Sequence, residues 1–210
     1  MLALWGFQLL NSEESDHLRK DAEGRQRFKV VFYGPSLCGK TTTLRWLYDK
    51  VDGLDKGKFT QLADPTGRTL FFDFVPMQAT RGVVFDVYTT AGQERHKHQR
   101  KVVIQGVDGL IFVVDSTSSQ LQENIESFDE LKERLGNKLG KTIPLVVTLN
   151  KRDVPDALPR SELISKLNLQ KFPIYETVAT TGLGVKRAFQ SLAREILMIQ
   201  LYGTKESQIA

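Results

Sequence analysis

Residues 34–41 read Gly34-Pro35-Ser36-Leu37-Cys38-Gly39-Lys40-Thr41, which matches the phosphate-binding pattern G-x-x-x-x-G-K-[ST]. The two glycines let the backbone curl so that successive N–H groups point inward at phosphate oxygens. Lys40 would reach the outer phosphates, and the Thr41 hydroxyl would hold a magnesium ion. The apolar run 28–33 predicts a buried strand before this loop, and residues 41–50 predict a helix whose dipole favours phosphate. The pattern therefore predicts a nucleoside polyphosphate site, with an ordinary glycine turn as the alternative.

The loop also contains Cys38, the one cysteine of the chain. A catalytic thiol is one interpretation. A small loop side chain is the other, because the backbone does the work of such a loop. The predicted nucleotide contacts here are Gly34, Ser36, Leu37, Cys38, Gly39, Lys40, Thr41 and Thr42.

The composition is that of an ordinary globular domain. The chain has 210 residues, of which 40% are hydrophobic and 26% charged, and its net charge of +4 does not indicate a nucleic-acid partner. A single cysteine cannot form an internal disulfide, which suits a reducing cytoplasm. No apolar run is long enough to span a bilayer.

Residues 1–27 are predicted to form an N-terminal extension, apolar over residues 1–10 and polar afterwards. It lacks the features of a secretory signal, and Leu2 excludes N-myristoylation. Without Lys or Arg in its first ten residues, a locally packed or partly disordered extension is favoured over an amphipathic membrane anchor. The tail 204–210 has no cysteine, so prenylation is not expected, and membrane association would go through partners or residues 1–10.

The alternation of apolar runs predicts an α/β domain over residues 28–203. The predicted strands are 28–33, 69–75, 82–88, 110–115, 145–149 and 174–178, and the predicted helices are 41–50, 120–135, 161–167 and 185–201. The second and third strands would form an antiparallel edge pair, joined by a hairpin at 76–81, while the others run parallel. We therefore predict a six-stranded, mostly parallel sheet with flanking helices and ligands at the carboxyl ends of its strands.

Asn150-Lys151-Arg152-Asp153 follows the strand 145–149 and predicts recognition of guanine. A carboxylate at Asp153 can accept bonds from the N1–H and 2-amino groups of guanine, whereas adenine has no donors on that edge. Asn150 could tether the phosphate loop and bond the base, and the Lys151 stem could lie along the base plane. Segment 176–180 would supply Val178, Ala179 and Thr180, with the Ala179 N–H at the guanine carbonyl oxygen. A helix N-cap at Asp153 is the alternative.

Together these motifs resemble those of the Ras-like small GTPases, over residues 28 to about 201. Thr90-Ala91-Gly92-Gln93-Glu94 is similar to the second switch of that class. Finer features resemble the MglA-like GTPases of bacterial gliding motility, namely Phe32-Tyr33-Gly34-Pro35, Arg68-Thr69-Leu70-Phe71-Phe72-Asp73-Phe74, Gly106-Val107-Asp108-Gly109 and Asn150-Lys151-Arg152-Asp153. The resemblance implies a P-loop G domain that binds GTP or GDP with Mg²⁺.

The resemblance also implies roles for the switch residues. Thr69 would join magnesium when the γ-phosphate is present, and Gly92 would offer its N–H to that phosphate. Gln93 would orient the attacking water, and Arg68 would be an arginine finger supplied in cis. The alternatives are a solvated loop arginine at Arg68 and a polar loop residue without a role at Gln93. Lys40 completes the predicted catalytic set.

The chain departs from the Ras-like pattern at Thr89, where an aspartate usually holds magnesium through water. MglA-like proteins share this absence, and Asp73 is a plausible substitute. By strand alternation Asp73 lies on one face with Phe71 and Val75, and an acid among apolar neighbours needs a partner. A plain strand or interface residue is the alternative for Asp73. Ala91, where MglA-like proteins generally carry proline, bears on the identity of the activating partner.

The segment 94–101 is a basic cluster. Its two histidines, His96 and His98, could be metal ligands, but the lysine and arginine neighbours repel a cation. A solvated face of the second switch that meets an acidic partner is the favoured interpretation.

The leading hypothesis is a GTP-hydrolysing switch whose effector surface exists only in the GTP state. The resemblance implies a Roadblock-type activator (MglB-like) and a role in cell polarity or gliding, and leaves the effector and exchange factor unidentified. The alternatives are a GTP-binding scaffold with little hydrolysis and an ATP-dependent kinase, which would need an adenine pocket.

Overall fold

The computed structural model describes residues 19–51, 55–63, 69–80, 82–92 and 97–202, and these form a central sheet flanked by helices on both faces. The strands are β1 Gln26–Tyr33, β2 Asp55–Lys56, β3 Thr60–Ala63, β4 Thr69–Thr80, β5 Val83–Thr89, β6 Gly109–Asp115, β7 Leu145–Asn150 and β8 Ile174–Glu176. The helices are α1 Lys40–Lys50, α2 Lys97–Ile104, α3 Leu121–Leu135, α4 Arg160–Leu167 and α5 Val185–Tyr202. Within these ranges no helix combines the length and apolar character that crossing a membrane requires.

The strand order is β2-β4-β5-β1-β6-β7-β8, and β3 pairs with β4 off this path. The run β5-β1-β6-β7-β8 is parallel, whereas β4 is antiparallel to β5, β2 and β3. The predicted mostly parallel sheet with an antiparallel edge is therefore confirmed. The described sheet has eight strands rather than six, because β2 and β3 are too short to leave an alternating pattern in the sequence.

β4 and β5 pair antiparallel, as the predicted hairpin requires, but residues 76–80, which were predicted to join the two strands, belong to β4. β4 continues to Thr80, and Pro76 pairs with Asp86 of β5. The missing N–H of a proline removes one donor, but its carbonyl still accepts a bond from the Gly57 N–H at 3.0 Å. One proline was therefore insufficient to end the strand.

The two faces of the sheet bury separate apolar clusters. One lies under α1 and α5 and includes Val30, Phe32, Leu44, Phe85, Ile111, Phe189 and Leu192. The other lies under α2, α3 and α4 and includes Val31, Tyr33, Phe112, Phe128, Leu131, Val147 and Leu163. Every residue of β6 and β7 is buried, as expected for parallel strands covered on both faces. The parallel strands therefore bring the loops after β1, β6 and β7 to one edge.

The segment before β1 also contacts the domain. Arg19 donates to the Gly106 carbonyl oxygen at 2.9 Å and pairs with Asp108, and the Arg27 N–H donates to the Arg19 carbonyl at 2.8 Å. Residues 1–18 and 203–210 lie outside the described residues, so the predicted boundaries of the extension and tail stay predictions.

A buried asparagine fastens α3 to the end of β6. The Asn124 side chain accepts a bond from the Asp115 N–H at 2.9 Å and donates to the Asp115 carbonyl at 2.8 Å. Both Asn124 and Asp115 are buried, so neither backbone group can exchange this partner for water.

We expect Asn124→Ala to lower the free energy of unfolding by about 2–4 kcal/mol, because two buried backbone groups lose their partner. Urea denaturation measures this loss. Gln122→Ala, which removes an exposed amide from the same helix, is the matched control and should stay within about 0.5 kcal/mol of the wild type. Equal effects of the two substitutions would contradict a role for the Asn124 contacts.

Candidate functional site

The loop between β1 and α1 has the backbone of an anion-binding turn. Gly39 precedes α1 with φ 104°, and no side chain caps the first turn of the helix. Leu37 is also in the left-handed region, at φ 59°, and its side chain is 62% exposed. An uncapped helix start leaves backbone N–H groups for a bound anion. The geometry thus agrees with the predicted phosphate loop rather than with a plain turn.

Lys40 lies folded over this loop. Its Nζ donates to the carbonyl oxygens of Gly34 at 2.9 Å and Pro35 at 2.5 Å, and the side chain is buried. Burial lowers the pKa of Lys40. A buried ammonium needs hydrogen-bond acceptors and negative charge around it. The two carbonyl oxygens are acceptors, and a bound phosphate would add the negative charge.

Cys38 is fully buried beneath the loop, and burial raises the pKa of its thiol. The thiolate is the nucleophilic form of cysteine, so this environment disfavours a catalytic thiol. The predicted loop contacts Ser36 and Thr42 are half-buried and exposed, respectively.

Three oxygen-bearing side chains meet at one point, and one of them is Thr41, the predicted magnesium ligand. Thr41 Oγ1 donates to Asp73 Oδ2 at 2.5 Å, and Thr89 Oγ1 donates to the same oxygen at 2.7 Å. The Asp73 N–H also donates to Thr89 Oγ1 at 3.0 Å. Asp73 and Thr89 are both fully buried. The structure therefore brings Asp73 to the place where Thr89 replaces the expected aspartate.

Strand pairing explains this meeting. Phe74 pairs with Tyr88 across the antiparallel edge, which sets Asp73 beside Thr89. Asp73 and Val75 are fully buried while Phe72 and Phe74 are only half-buried, as strand alternation predicted. The side chain of Thr69, at the start of β4, lies outside the described residues.

The donor set at Thr41 fits magnesium. Mg²⁺ is usually held by one or two carboxylates together with hydroxyl, water and phosphate oxygens. Among the described residues no group of three or more His, Cys, Asp or Glu side chains could hold a metal. A metal at this place would therefore depend on Thr41, Asp73 and the nucleotide. Of the two histidines considered as metal ligands, His98 is exposed on α2, away from this place.

Asn150 joins the phosphate loop to the loop after β8. Its Nδ2 donates to the Cys38 carbonyl at 2.8 Å, and its Oδ1 accepts bonds from the Ala179 N–H at 3.0 Å and Thr177 Oγ1 at 3.2 Å. The expected tether to the phosphate loop is thus present. The Ala179 N–H, expected at the guanine carbonyl oxygen, donates to Asn150 here, so that role stays a prediction. Val178 is buried and Thr180 is exposed beside it.

Lys151 of the guanine motif is bound by Asp115, the last residue of β6. Lys151 has φ 62°, and its Nζ lies 2.5 Å from Asp115 Oδ2. Thr117 donates to the other Asp115 oxygen at 2.7 Å. Asp153 is exposed, and the next helix begins only at Arg160, so the N-cap alternative for Asp153 is wrong. The ion pair between Lys151 and Asp115 was not predicted from the sequence. The position of Asp115 at the end of an apolar strand could have indicated a residue of the site.

The segment predicted to be the second switch starts beside the end of β1 and the phosphate loop. The Thr90 N–H donates to the Phe32 carbonyl at 3.1 Å. A Cβ on Gly92 would lie 2.4 Å from Ser36 N, so only glycine allows this approach. The predicted catalytic residues Arg68 and Gln93 lie outside the described residues.

Helix α2 corrects the interpretation of the basic cluster. Arg100 is only 4% exposed, and its Nη2 lies 2.6 Å from Glu130 Oε2 on α3. The predicted solvated face is therefore wrong at Arg100, although His98 and Lys101 are exposed. A run of charged residues predicts solvent exposure, so the burial of Arg100 could not be predicted from it. Its partner Glu130 lies 30 residues away and leaves no pattern in the local sequence.

Comparisons with known proteins agree with this geometry. Residues 15–196 match the model of the ADP-ribosylation factor family. The chain is 42% identical over 176 residues to the mutual gliding-motility protein MglA of Myxococcus xanthus (strain DK1622), covering 80% of this chain and 90% of that protein. It is 28% identical over 180 residues to ADP-ribosylation factor-like protein 6 of Caenorhabditis elegans, covering 82% and 88%.

A solved structure of the Arl6 BBS3 small GTPase from Trypanosoma brucei with the bound nucleotide analogue GppNp shares the fold. Its TM-score is 0.65 at 22% sequence identity, covering 82% of this chain and 98% of that one. Fold and site thus define a P-loop small GTPase. The chain belongs to the ADP-ribosylation factor family. Its 42% sequence identity to MglA confirms the prediction of an MglA-like member.

We expect Cys38 to react with iodoacetamide at least roughly 100-fold more slowly in the folded protein than in urea, because burial suppresses the thiolate. The comparison is made at about pH 8, near the pKa of an unfolded thiol. With one cysteine in the chain, mass spectrometry of the labelled protein reports this site alone. Fast labelling of the folded protein would restore the catalytic-thiol interpretation.

Proposed function

We propose that this small GTPase is a molecular switch that binds GTP or GDP with Mg²⁺ and hydrolyses GTP slowly without an activating partner. The observation that carries the proposal is the Asn150 side chain, which joins the phosphate loop at Cys38 to the loop at Ala179. A phosphate site and a base motif held by one side chain suit a single nucleotide spanning both. The ATP-dependent kinase loses support, because Asp153 suits guanine and not adenine.

At the phosphate end, the loop backbone from Gly34 to Thr42 would bind the phosphate oxygens and Lys40 would contact the outer phosphates. Thr41 and Asp73 would hold magnesium, with Thr69 joining in the GTP state. Bound magnesium would neutralise charge on the phosphates.

At the base end, Asp153 would accept the guanine donors. Asn150 and Lys151 would line the base, Lys151 being oriented by its ion pair with Asp115. Val178, Ala179 and Thr180 would close the far side of the base. A base bound this way gives affinity common to GTP and GDP, so it cannot by itself distinguish the two states.

In hydrolysis, Gln93 would orient the attacking water and Arg68 would neutralise charge on the transferring phosphoryl group once a partner positions it. The Gly92 N–H would donate to the γ-phosphate, so loss of that phosphate would release the second switch. The close approach of Gly92 to Ser36 supports this role.

The similarity to a protein named for gliding motility supports a role in cell polarity or motility. We propose a Roadblock-type activating partner (MglB-like) and a cytoplasmic protein that partners recruit to a pole or membrane. The described residues of the site show no feature that suggests nucleic acid, and direct membrane contact would be limited to the N-terminal segment.

We expect a Roadblock-type partner to accelerate phosphate release from GTP, and Arg68→Ala to reduce the stimulated rate by about 10³-fold. Gln93→Ala should also abolish stimulation, because the attacking water loses its orienting amide. Arg187→Ala and Gln190→Ala, exposed residues of the same types on α5, are the matched controls. Phosphate release at background with and without the partner, unchanged by either substitution, would instead indicate a GTP-binding scaffold.

We expect Asp73→Ala to weaken the affinity of the nucleotide-bound protein for Mg²⁺ by about 10–100-fold. The double variant Asp73→Ala/Thr89→Asp should recover part of that affinity, because Thr89 lies beside the lost carboxylate. Nucleotide dissociation at graded Mg²⁺ measures both. Asp86→Asn, which changes a half-buried carboxylate of β5 held by Arg27, is the control. An unchanged Mg²⁺ response of Asp73→Ala would leave Asp73 as a plain strand residue.

A further inference from the structure

Arg100 occupies a buried position that none of the roles above requires. Its guanidinium is held by the Glu130 carboxylate at two atoms, Nε to Oε1 at 3.2 Å and Nη2 to Oε2 at 2.6 Å. Its remaining nitrogen, Nη1, donates to the Ala91 carbonyl oxygen at 3.2 Å. A planar guanidinium fixed by a carboxylate on one side has its third donor aimed in one direction.

The two arginines around Glu130 favour the charged form of its carboxylate. Burial pulls the pKa of Glu130 upward, but hydrogen bonds from Arg100 and Arg134 outweigh it and hold the pKa below its ordinary value. Arg134 lies on the same helix as Glu130, and its Nε donates to Glu130 Oε1 at 2.9 Å. Two arginines therefore share one carboxylate, and Arg100 is the one that donates to Ala91.

The Ala91 carbonyl matters because it belongs to the peptide that contains the Gly92 N–H. A peptide group is planar, and in the trans form its C=O and N–H point in opposite directions. A donor that holds the Ala91 oxygen therefore also fixes where the Gly92 N–H points. Gly92 packs against Ser36 of the phosphate loop, where a Cβ would lie 2.4 Å from the Ser36 nitrogen. A rotation of this peptide would thus move the N–H relative to the phosphates.

We propose that Arg100, oriented by Glu130, is a positioning residue that fixes the Ala91–Gly92 peptide and so sets the preference of the site for GTP over GDP. The inference rests on the proposed function, in which the Gly92 N–H binds the γ-phosphate. GDP lacks that phosphate, so the peptide orientation bears on GTP affinity alone. The link also gives helix α3 a direct connection to the second switch.

The test is the ratio of two dissociation constants of the full-length protein, for a fluorescent non-hydrolysable GTP analogue and for fluorescent GDP. We expect Arg100→Gln to weaken binding of the GTP analogue by about tenfold, the size of one charge-assisted hydrogen bond. Affinity for GDP should stay within about twofold. Glu130→Gln should act in the same direction, because the arginine loses its anchor.

Arg134→Gln is the matched control, since it removes an arginine from the same carboxylate without touching Ala91. It should leave the ratio within about twofold, whatever it does to the melting temperature. If Arg100→Gln does not fold, Arg100→Lys replaces it and should still raise the ratio of the GTP-analogue dissociation constant to the GDP dissociation constant severalfold, because an ammonium cannot hold Glu130 and Ala91 in one plane.

If Arg100 had only a structural role, its variants would bind both nucleotides more weakly by the same factor and the ratio would not change. That result would overturn the inference. An equal change of the ratio in Arg134→Gln would do the same. Failure of the wild-type chain to bind either guanine nucleotide would overturn the proposed function, and this inference with it. Selective loss of GTP-analogue affinity in the Arg100 and Glu130 variants supports the inference.

Discussion

The carboxamide of Asn150 connects loops that are far apart in the chain, and the organisation of the site depends on it. One amide donates to the phosphate loop at Cys38 and accepts from the loop at Ala179, so these two segments keep a fixed separation. Asn150 is itself at the end of a fully buried strand, where β6 and β7 are in register at Asp115 and Asn150. The parallel core thus sets the position of the amide, and the amide sets the distance between phosphate and base segments.

The cluster of Thr41, Asp73 and Thr89 shows how a carboxylate can be supplied from a different strand. An aspartate on β5 would come from the strand that precedes the predicted second switch, whereas Asp73 lies on β4, which begins at Thr69. Because β4 and β5 pair antiparallel, the two positions are adjacent and the oxygens meet at Thr41. The bond from Thr41 to Asp73 couples β4 to the phosphate loop, so under the proposed function a shift of β4 along β5 would move a magnesium ligand.

Much of this arrangement could be predicted from the sequence, where a pattern is local. The phosphate loop, the parallel strands and Asn150 at the end of β7 each follow from a run of adjacent residues. The strands β2 and β3 could not be predicted, because pairing to β4 and not their own composition makes them strands. Arg100 was misread for a related reason. A charged run predicts solvent exposure, and only the partner Glu130 on a separate helix makes burial of an arginine favourable.

Buried polar groups distinguish the fixed part of the site from the part that can change. Asn150 and Asp73 are each held by more than one segment through bonds inside the sheet edge, so moving them would leave buried groups without partners. The segment predicted to be the second switch is attached differently: Arg100 donates to the Ala91 carbonyl, and the N–H and hydroxyl of Thr90 donate to the Phe32 carbonyl. Breaking one such contact costs far less than dismantling the sheet edge, since a single hydrogen bond contributes about 1 kcal/mol. In the proposed function, a ligand contact of similar size at Gly92 would shift the balance between the docked and released positions of this segment by about fivefold.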